Sequence, residues 1–216
     1  MEDATISEPI SPLLLAARGL ALRRGREWLF RDLDLHINPG HLLWLRGPNG
    51  SGKTSLLRVL VGLTRPDLGQ LNWRNVMPDI VYLGHSSALK EDLCAREALD
   101  FLARLHGRRD RAGALDAALK RLGVEHRSQR SVRTLSQGQR RRVALARLAL
   151  EQTPALWVLD EPFDALDAEG IAVVLQLMSE HLQRQGAVVL TSHLAFELPG
   201  VALQILDLET GGTCHA

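Results

Sequence analysis

The sequence has few of the residues that mark disulfide-rich, metal-binding or membrane-spanning proteins. It contains two cysteines, Cys94 and Cys214, which form no Cys-x-x-Cys motif and suggest a reducing compartment. Its longest apolar runs have five residues, whereas a transmembrane helix needs about 20. We therefore expect any contact with a membrane to be made through a partner protein.

A strong charge of one sign is also absent. Lysine and arginine number 26 and aspartate and glutamate 25, giving a net charge of +1, so the chain lacks the overall field that attracts nucleic acids. A local arginine run, Arg140–Arg142 with Arg147, is interpreted as a solvated, phosphate-adjacent helix surface, because consecutive helical residues point to different faces. Direct nucleic-acid binding is not expected.

Strand-like segments alternate with helix-like segments, which predicts a parallel α/β domain over residues 13–216 behind a flexible tail at 1–12. A block from about 92 to 150 is helical only. The predicted strands are Leu13–Leu22, Trp28–Ile37, Leu42–Leu45, Gly69–Trp73, Ile80–Leu83, Leu156–Leu159, Ala187–Thr191 and Val201–Leu208. The predicted helices are Lys53–Leu63, Ala95–Leu105, Ala112–Leu122, Gln137–Leu150 and 168–184.

A glycine-rich segment follows the third predicted strand and matches the pattern G-x-x-x-x-G-K-[ST] over Gly47–Thr54. Its glycines allow backbone N–H groups to surround a phosphate, and the helix that follows adds its positive end. Lys53 can reach the β and γ oxygens, and the Thr54 hydroxyl can bind Mg²⁺. The segment predicts a nucleotide-binding P-loop, shared by kinases, GTPases and ATPases.

Two carboxylates end a later apolar strand, at Asp160 and Glu161. A buried strand delivers Asp160 to the edge of the sheet, where it can bind Mg²⁺ together with Thr54. Glu161 can then face the γ-phosphate and orient or deprotonate a water molecule. The pair predicts nucleotide hydrolysis.

The segment Leu135-Ser136-Gln137-Gly138-Gln139 precedes a helix-like run. Ser136 can cap that helix, and its hydroxyl with the Gly138 N–H can form an anion site. Together with the P-loop, the segment resembles the LSGGQ signature of the ATP-binding cassette (ABC) family. The resemblance implies a P-loop NTPase fold with a parallel sheet, a small antiparallel β edge and an inserted helical subdomain. It also implies Mg²⁺-dependent hydrolysis of ATP.

In that family the signature completes the nucleotide site of the opposing subunit, so the resemblance implies an ATP-dependent head-to-tail homodimer. Ala165-Leu166-Asp167 resembles the family's loop that crosses the dimer interface. Ser192-His193 resembles the segment with the family's histidine that contacts the γ-phosphate, which here would help to position Glu161. The expected catalytic residues are Glu161 and His193. The expected nucleotide contacts are Gly47, Pro48, Asn49, Gly50, Ser51, Gly52, Lys53, Thr54, Ser55, Ser136, Gly138, Gln139 and Asp167.

Finer similarities, in Tyr82-Leu83-Gly84-His85 and Leu156–Asp167, resemble the ABC subgroup that serves c-type cytochrome biogenesis. They imply a peripheral ATPase on the cytoplasmic face of the bacterial inner membrane, bound to a permease subunit and to cytochrome c maturation proteins. The task would be heme export or ATP-driven release of a heme chaperone. An ATPase of another small-substrate transporter, or a soluble ABC ATPase acting on DNA or ribosomes, stays an alternative.

Two positions depart from the common family pattern. His85 stands where most members have glutamine; we expect it near the Mg²⁺ of Thr54 and Asp160, with turnover sensitive to pH. The aromatic residue that usually stacks on adenine is missing, and Arg24, Trp28 or Phe30 could replace it. Weak selectivity between ATP and GTP would follow.

Overall fold

A computed structural model describes residues 14–73, 79–107 and 113–208 of the chain. Its strands are β1 (Leu15–Arg24), β2 (Glu27–Ile37), β3 (His41–Arg46), β4 (Leu68–Trp73), β5 (Ile80–Leu83), β6 (Leu156–Asp160), β7 (Ala187–Thr191) and β8 (Ala202–Asp207). Its helices are α1 (Lys53–Leu60), α2 (Ala95–Leu105), α3 (Ala114–Arg121), α4 (Gln137–Ala146) and α5 (Ala168–Gln183). The predicted tail at 1–12 and Cys214 lie outside the described residues.

Two sheets form the framework. A three-stranded antiparallel sheet has the order β2-β1-β4, and a five-stranded parallel sheet has the order β5-β6-β7-β3-β8. The parallel core confirms the prediction from the alternation of strands and helices, and the small antiparallel sheet is the edge that the resemblance to the ABC family implies. Because the strands of the large sheet are parallel, the segments after β3, β5, β6 and β7 all leave from the same edge, where α/β proteins bind their ligands.

Each face of the parallel sheet is covered by its own hydrophobic cluster. Trp157 and Leu159 of β6 pack against the helical residues of α2 to α5. Leu156 and Val158, which alternate with them, pack against α1 and the antiparallel sheet. The alternation follows from the period of two in a β-strand, so the central strands are apolar on both faces.

The helical block differs from the prediction at one end. The sequence predicts one α-helix from Gln137 to Leu150, but α4 ends at Ala146 and Arg147–Leu150 form a 3₁₀ turn. Tightening of this kind is common where an α-helix ends. In the part of the chain that the structure describes, no helix has the length and apolar character needed to cross a membrane.

A buried histidine links α5 to the sheet. His181 is 0% exposed, its ring stacks on Trp157 with centroids 3.9 Å apart, and its Nε2 lies 2.8 Å from the carbonyl oxygen of Ala155. A Cβ on Gly186 would lie 2.1 Å from the same nitrogen, so only glycine fits there. Burial lowers the pKa of His181 to about 4. The folded chain therefore keeps this ring neutral.

We expect His181 to lower the free energy of unfolding as the pH is lowered. The unfolded chain binds a proton on this ring near its ordinary pKa of about 6.5, and the folded chain does so only near 4, so protonation favours unfolding between these values. The loss by pH ~4 is about 3 kcal/mol. Urea unfolding from pH ~7.5 to ~4 measures it against His181→Gln, which cannot titrate. Equal pH dependence in both proteins would contradict the prediction.

Candidate nucleotide-binding and hydrolysis site

The glycine-rich segment lies between β3 and α1 and depends on two glycines. Gly47 has φ +143, and a Cβ there would lie 2.3 Å from the carbonyl oxygen of Leu208. Gly52 has φ +96 and stands just before the first residue of α1. Lys53 is 8% exposed, and its Nζ donates to the carbonyl oxygens of Gly47, at 2.8 Å, and Pro48, at 3.0 Å. The ammonium group is thus held over the loop at the start of the helix.

Asp160 connects this helix to the sheet. Its Oδ2 accepts a hydrogen bond from Thr54 Oγ1 at 2.9 Å, and its Oδ1 accepts one from Thr191 Oγ1 at 2.8 Å. The carboxylate is 2% exposed. Thr54 and Asp160 thus offer neighbouring oxygen ligands at the cleft, and Mg²⁺ is usually held by one or two protein oxygens with water and phosphate completing its shell. The donor set fits Mg²⁺.

Glu161 is held by hydrogen bonds at its backbone N–H and at one carboxylate oxygen, and its other carboxylate oxygen is left available. Its N–H donates to Thr191 Oγ1 at 2.9 Å, and its Oε2 accepts from the N–H of His193 at 3.1 Å. Among the described residues its buried Oε1 has no hydrogen-bond partner, although His193 Nε2 lies 3.5 Å away. The backbone has φ 48, a left-handed conformation that is costly for a residue with a side chain. An acceptor is therefore held ready at the edge of the cleft.

These residues line one open cleft of about 470 Å³. Its lining consists of Arg24, Leu29, Asn49, Gly50, Gly52, Lys53, Thr54, Ser55, His85, Asp160, Glu161, Asp164 and His193. The structure thus brings together the predicted phosphate-binding, metal-binding and water-activating residues. The expected contacts that do not line it are Gly47, Pro48 and Ser51 of the glycine-rich segment, and Ser136, Gly138, Gln139 and Asp167.

Ser136 and Gln139 cap α4 reciprocally. The Gln139 N–H donates to Ser136 Oγ at 3.2 Å, and the Ser136 N–H donates to Gln139 Oε1 at 3.1 Å. This is a capping box, which stabilises a helix start. A Cβ on Gly138 would lie 2.7 Å from the carbonyl oxygen of Ala165, so the start of α4 approaches the segment before α5 closely.

Asp167 is oriented within its own chain. It caps α5, where its Oδ1 accepts from the Gly170 N–H at 2.8 Å, and it also pairs with Arg142. The Gly170 hydrogen bond, and then the Arg142 guanidinium, lower the pKa of Asp167. Both contacts use Oδ1, so a contact of Asp167 across a dimer interface would have to use its other carboxylate oxygen, Oδ2.

His85 is on the open side of the cleft. Its side chain is 76% exposed, and its Nδ1 lies 3.7 Å from Asp164 Oδ2. Within the described ranges, no cluster of three or more His, Cys, Asp and Glu side chains could hold a metal ion. His85 as a metal ligand stays a prediction, and the oxygens of Thr54 and Asp160 are the better supported set.

The structure separates the three candidates for stacking on a base. Phe30 is 1% exposed in the core, so it cannot stack on a ligand. The Trp28 ring centroid lies 4.8 Å from Arg23 Cζ and 5.2 Å from Arg31 Cζ, so the ring already stacks with two arginine side chains. Arg24 alone of the three lines the cleft.

We expect Arg24→Ala to weaken nucleotide binding with little dependence on the base. A guanidinium stacks through its planar face and contributes about 0.5–2 kcal/mol to such a contact, so affinities for ATP and GTP should fall by a similar factor. Trp28→Ala is the matched control and should change neither affinity. Equilibrium binding of both nucleotides measures the effect, and a loss in Trp28→Ala alone would contradict the assignment.

The expectation of a solvated arginine surface is wrong for two of its residues. Arg141 is 3% exposed and Arg147 is 6% exposed. Both guanidinium groups are directed into the protein and donate to main-chain carbonyl oxygens. The charge of these residues suggested that their side chains are exposed to solvent. A long arginine side chain can nevertheless be buried where carbonyl groups accept hydrogen bonds from its guanidinium group.

Thr191 is a further residue of the site that no sequence motif indicated. It is the last residue of β7 and pairs in register with Asp160 on β6. Its hydroxyl bridges Asp160 Oδ1 and the Glu161 N–H. The signal was its position two residues before His193 at the end of a neighbouring strand.

Comparison with known proteins gives one consistent group. The family model described as "ABC transporter" matches residues 30–164. The chain is 45% identical over 207 residues to "Cytochrome c biogenesis ATP-binding export protein CcmA 2" of Cupriavidus metallidurans, covering 91% of this chain and 96% of the relative. It is 44% identical over 195 residues to the CcmA protein of Methylococcus capsulatus, covering 86% and 94%.

The fold has counterparts among solved structures. One, titled "Structure of ATP binding subunit of ABC transporter", superposes with a TM-score of 0.80 at 23% sequence identity. The match covers 92% of this chain and 87% of that one. At this identity the likeness concerns the fold.

Proposed function

Because the chain belongs to the ABC transporter family, we propose that it hydrolyses ATP to drive a membrane transporter complex in c-type cytochrome biogenesis. The proposal is supported by the high identity and nearly complete overlap with CcmA export proteins. The structural observation that carries the ATPase activity is the buried Oε1 of Glu161, which accepts no hydrogen bond from the described residues and lies beside a cleft that also contains Lys53 and Thr54.

Binding of ATP would use the start of α1. Lys53 would exchange its carbonyl acceptors at Gly47 and Pro48 for phosphate oxygens, and the loop N–H groups would hold the same phosphates. Thr54 and Asp160 would hold Mg²⁺, which when bound neutralises charge on the transferred phosphoryl group. Glu161 Oε1 would accept a proton of the attacking water and orient it, and His193 would contact the γ-phosphate.

A second copy of the chain would complete the site. Ser136, Gly138, Gln139 and Asp167 do not line their own cleft, which suits residues that act on the nucleotide of an opposing subunit. The start of α4 offers N–H groups and a positive dipole end to a phosphate. We therefore propose an ATP-dependent head-to-tail dimer with two shared sites.

The membrane work would be done by partner proteins. We propose an integral permease of the CcmB type and cytochrome c maturation proteins as partners, with this chain on the cytoplasmic face of the bacterial inner membrane. The complex would export heme or use ATP to release a heme-loaded chaperone. Either task leaves the same residues to carry out hydrolysis.

Capture of the ATP-bound state tests the partners. Glu161→Gln should bind ATP and hydrolyse it slowly. A tagged variant added to bacterial membranes with ATP should therefore stay bound to its transporter subunits during purification. Lys53→Ala, which loses the phosphate contact, is the matched control. Recovery of a permease with cytochrome c maturation proteins supports the proposal. Another permease would remove the cytochrome assignment, and ribosomes or DNA without a membrane protein would contradict transport.

A further inference from the structure

Arg141 lies in the middle of α4 and faces the catalytic edge of the sheet. Its side chain is 3% exposed, and the five hydrogen bonds that it donates all end on main-chain carbonyl oxygens. Nη2 donates to Asp160 at 2.9 Å and to Glu161 at 2.6 Å, and Nε donates to Pro162 at 3.4 Å. Nη1 donates to Gly84 at 3.1 Å and to His85 at 3.5 Å.

These carbonyl groups belong to two segments that border the cleft. Asp160 ends β6, Glu161 and Pro162 belong to the turn after it, and Gly84 and His85 follow β5. One planar guanidinium therefore joins both segments to α4. Arg141 itself does not line the cleft, so it acts on the site only through these segments.

The turn at Glu161 needs such support. Its φ of 48 is sparsely populated for a residue with a side chain, and conformations of this kind persist where surrounding contacts determine them fully. Thr191 holds the Glu161 N–H and the His193 N–H holds its carboxylate. Arg141 donates to the carbonyl oxygens of Asp160 and Glu161, which lie on either side of the Glu161 Cα. It therefore completes the set of contacts that fixes Glu161.

A lysine could not make the same contacts. Arg141 uses all three guanidinium nitrogens in different directions, whereas a lysine donates from one point. The charge is also favoured where it lies. Burial lowers the pKa of Arg141, but Asp164, Asp160 and Glu161 oppose that effect because their carboxylates favour the charged guanidinium.

We propose that Arg141 is the positioning residue through which α4 sets the orientation of Glu161. This inference rests on the proposed role of Glu161 in orienting water. Because α4 also begins at the Ser136 cap, a movement of this helix when a phosphate binds at its start is transmitted to Glu161 within the same chain. In the proposed dimer, the start of α4 would contact the nucleotide of the opposing subunit. Its middle, through Arg141, would position Glu161 at the nucleotide of its own subunit.

Steady-state kinetics of the full chain, alone and in its membrane complex, test the proposal with Arg141→Lys and Arg141→Gln. A small displacement of a catalytic group costs up to about 100-fold in rate, so kcat should fall about 10- to 100-fold. KM for ATP should change little, because the phosphate-binding segment keeps its contacts. Glutamine retains an amide donor, which gives a second variant if the lysine variant folds poorly.

Arg147→Lys is the matched control. Arg147 is a second buried arginine of the same helical segment, but it donates to the carbonyl group of Tyr82 rather than to the turn at Glu161. Its variant should lose thermal stability with kcat retained at temperatures where it is folded. Parallel losses of stability, KM and kcat in the Arg141 and Arg147 variants would overturn the positioning role, as would an unchanged kcat in folded Arg141 variants.

The double variant separates this inference from the function on which it rests. If Arg141 acts through Glu161, Arg141→Lys should slow wild type strongly and add little to Glu161→Gln. An equal further loss in both backgrounds would overturn the inference while leaving hydrolysis at Glu161 in place. Wild-type turnover by Glu161→Gln would instead overturn the proposed catalytic role.

Discussion

Glu161→Gln should lower the rate of ATP hydrolysis by about 10²–10⁴-fold, the usual contribution of a positioned general base. Glutamine has the same shape, so its amide oxygen can still accept the hydrogen bond from the His193 N–H that Oε2 now accepts. What is lost is the carboxylate oxygen Oε1, the acceptor aimed at the cleft. ATP binding should be retained, and the variant should accumulate as the ATP-bound dimer.

Phosphate release measures the rate, and gel filtration with and without ATP measures the dimer. Asp164→Asn is the matched control, because Asp164 is a carboxylate that lines the same cleft but lies beside His85 and is half-exposed. Its variant should hydrolyse ATP at a rate close to wild type. A fast Glu161→Gln, or an equally slow Asp164→Asn, would contradict the assignment of the base.

Asp160→Asn should raise the Mg²⁺ concentration that turnover requires and should remove most of the turnover. The asparagine oxygen can keep the hydrogen bond from Thr191, and its amide can donate to the Thr54 hydroxyl, so the fold should be retained. The negative oxygen next to Thr54 is lost, and with it the charged ligand that Mg²⁺ prefers. Altering groups that only support metal ligands costs about 10–100-fold, so a ligand itself should cost at least about 100-fold.

Titration with Mg²⁺ at saturating ATP distinguishes this effect from damage to the fold. The variant should need more Mg²⁺ for its residual activity, while its melting temperature and its binding of ATP without metal stay near those of wild type. Thr191→Ser, which keeps the bridging hydroxyl, is the control and should show wild-type Mg²⁺ dependence. An unchanged Mg²⁺ requirement in Asp160→Asn would contradict the metal site.

Local patterns were sufficient to predict the parts of the site that are continuous in sequence. The glycine-rich segment and Lys53 follow a strand and start a helix, and Asp160 and Glu161 end an apolar strand. In a parallel sheet, this order alone brings both segments to one edge. The helix α2, from Ala95 to Leu105, was predicted with the observed bounds because its apolar residues repeat regularly.

Features set by contacts between distant segments were not predictable in this way. The burial of Phe30 depends on an irregularity in β2, where Asp32 has φ 49 and the pairing with β1 shifts register. The alternation that is regular from Leu33 onward therefore does not extend back to Phe30. Arg141 is a stronger case, because its acceptors lie 19 to 57 positions away along the chain and are all main-chain atoms. Every residue has a main-chain carbonyl group, so residue types do not show which carbonyl groups are available to accept a hydrogen bond from Arg141.

The division of the interior into two clusters has a consequence for how the molecule opens. Strands β6 and β7 are covered on both faces, whereas α2 and α3 contribute to one cluster only. Local opening begins where fewer buried contacts must be broken. The helical block can thus loosen while the other face of the sheet stays closed, and the strands that end at Asp160 and Thr191 are among the last to exchange their amide hydrogens. Asp160 and Glu161, which end β6 and follow it, are therefore attached to the part of the described chain that we expect to open last.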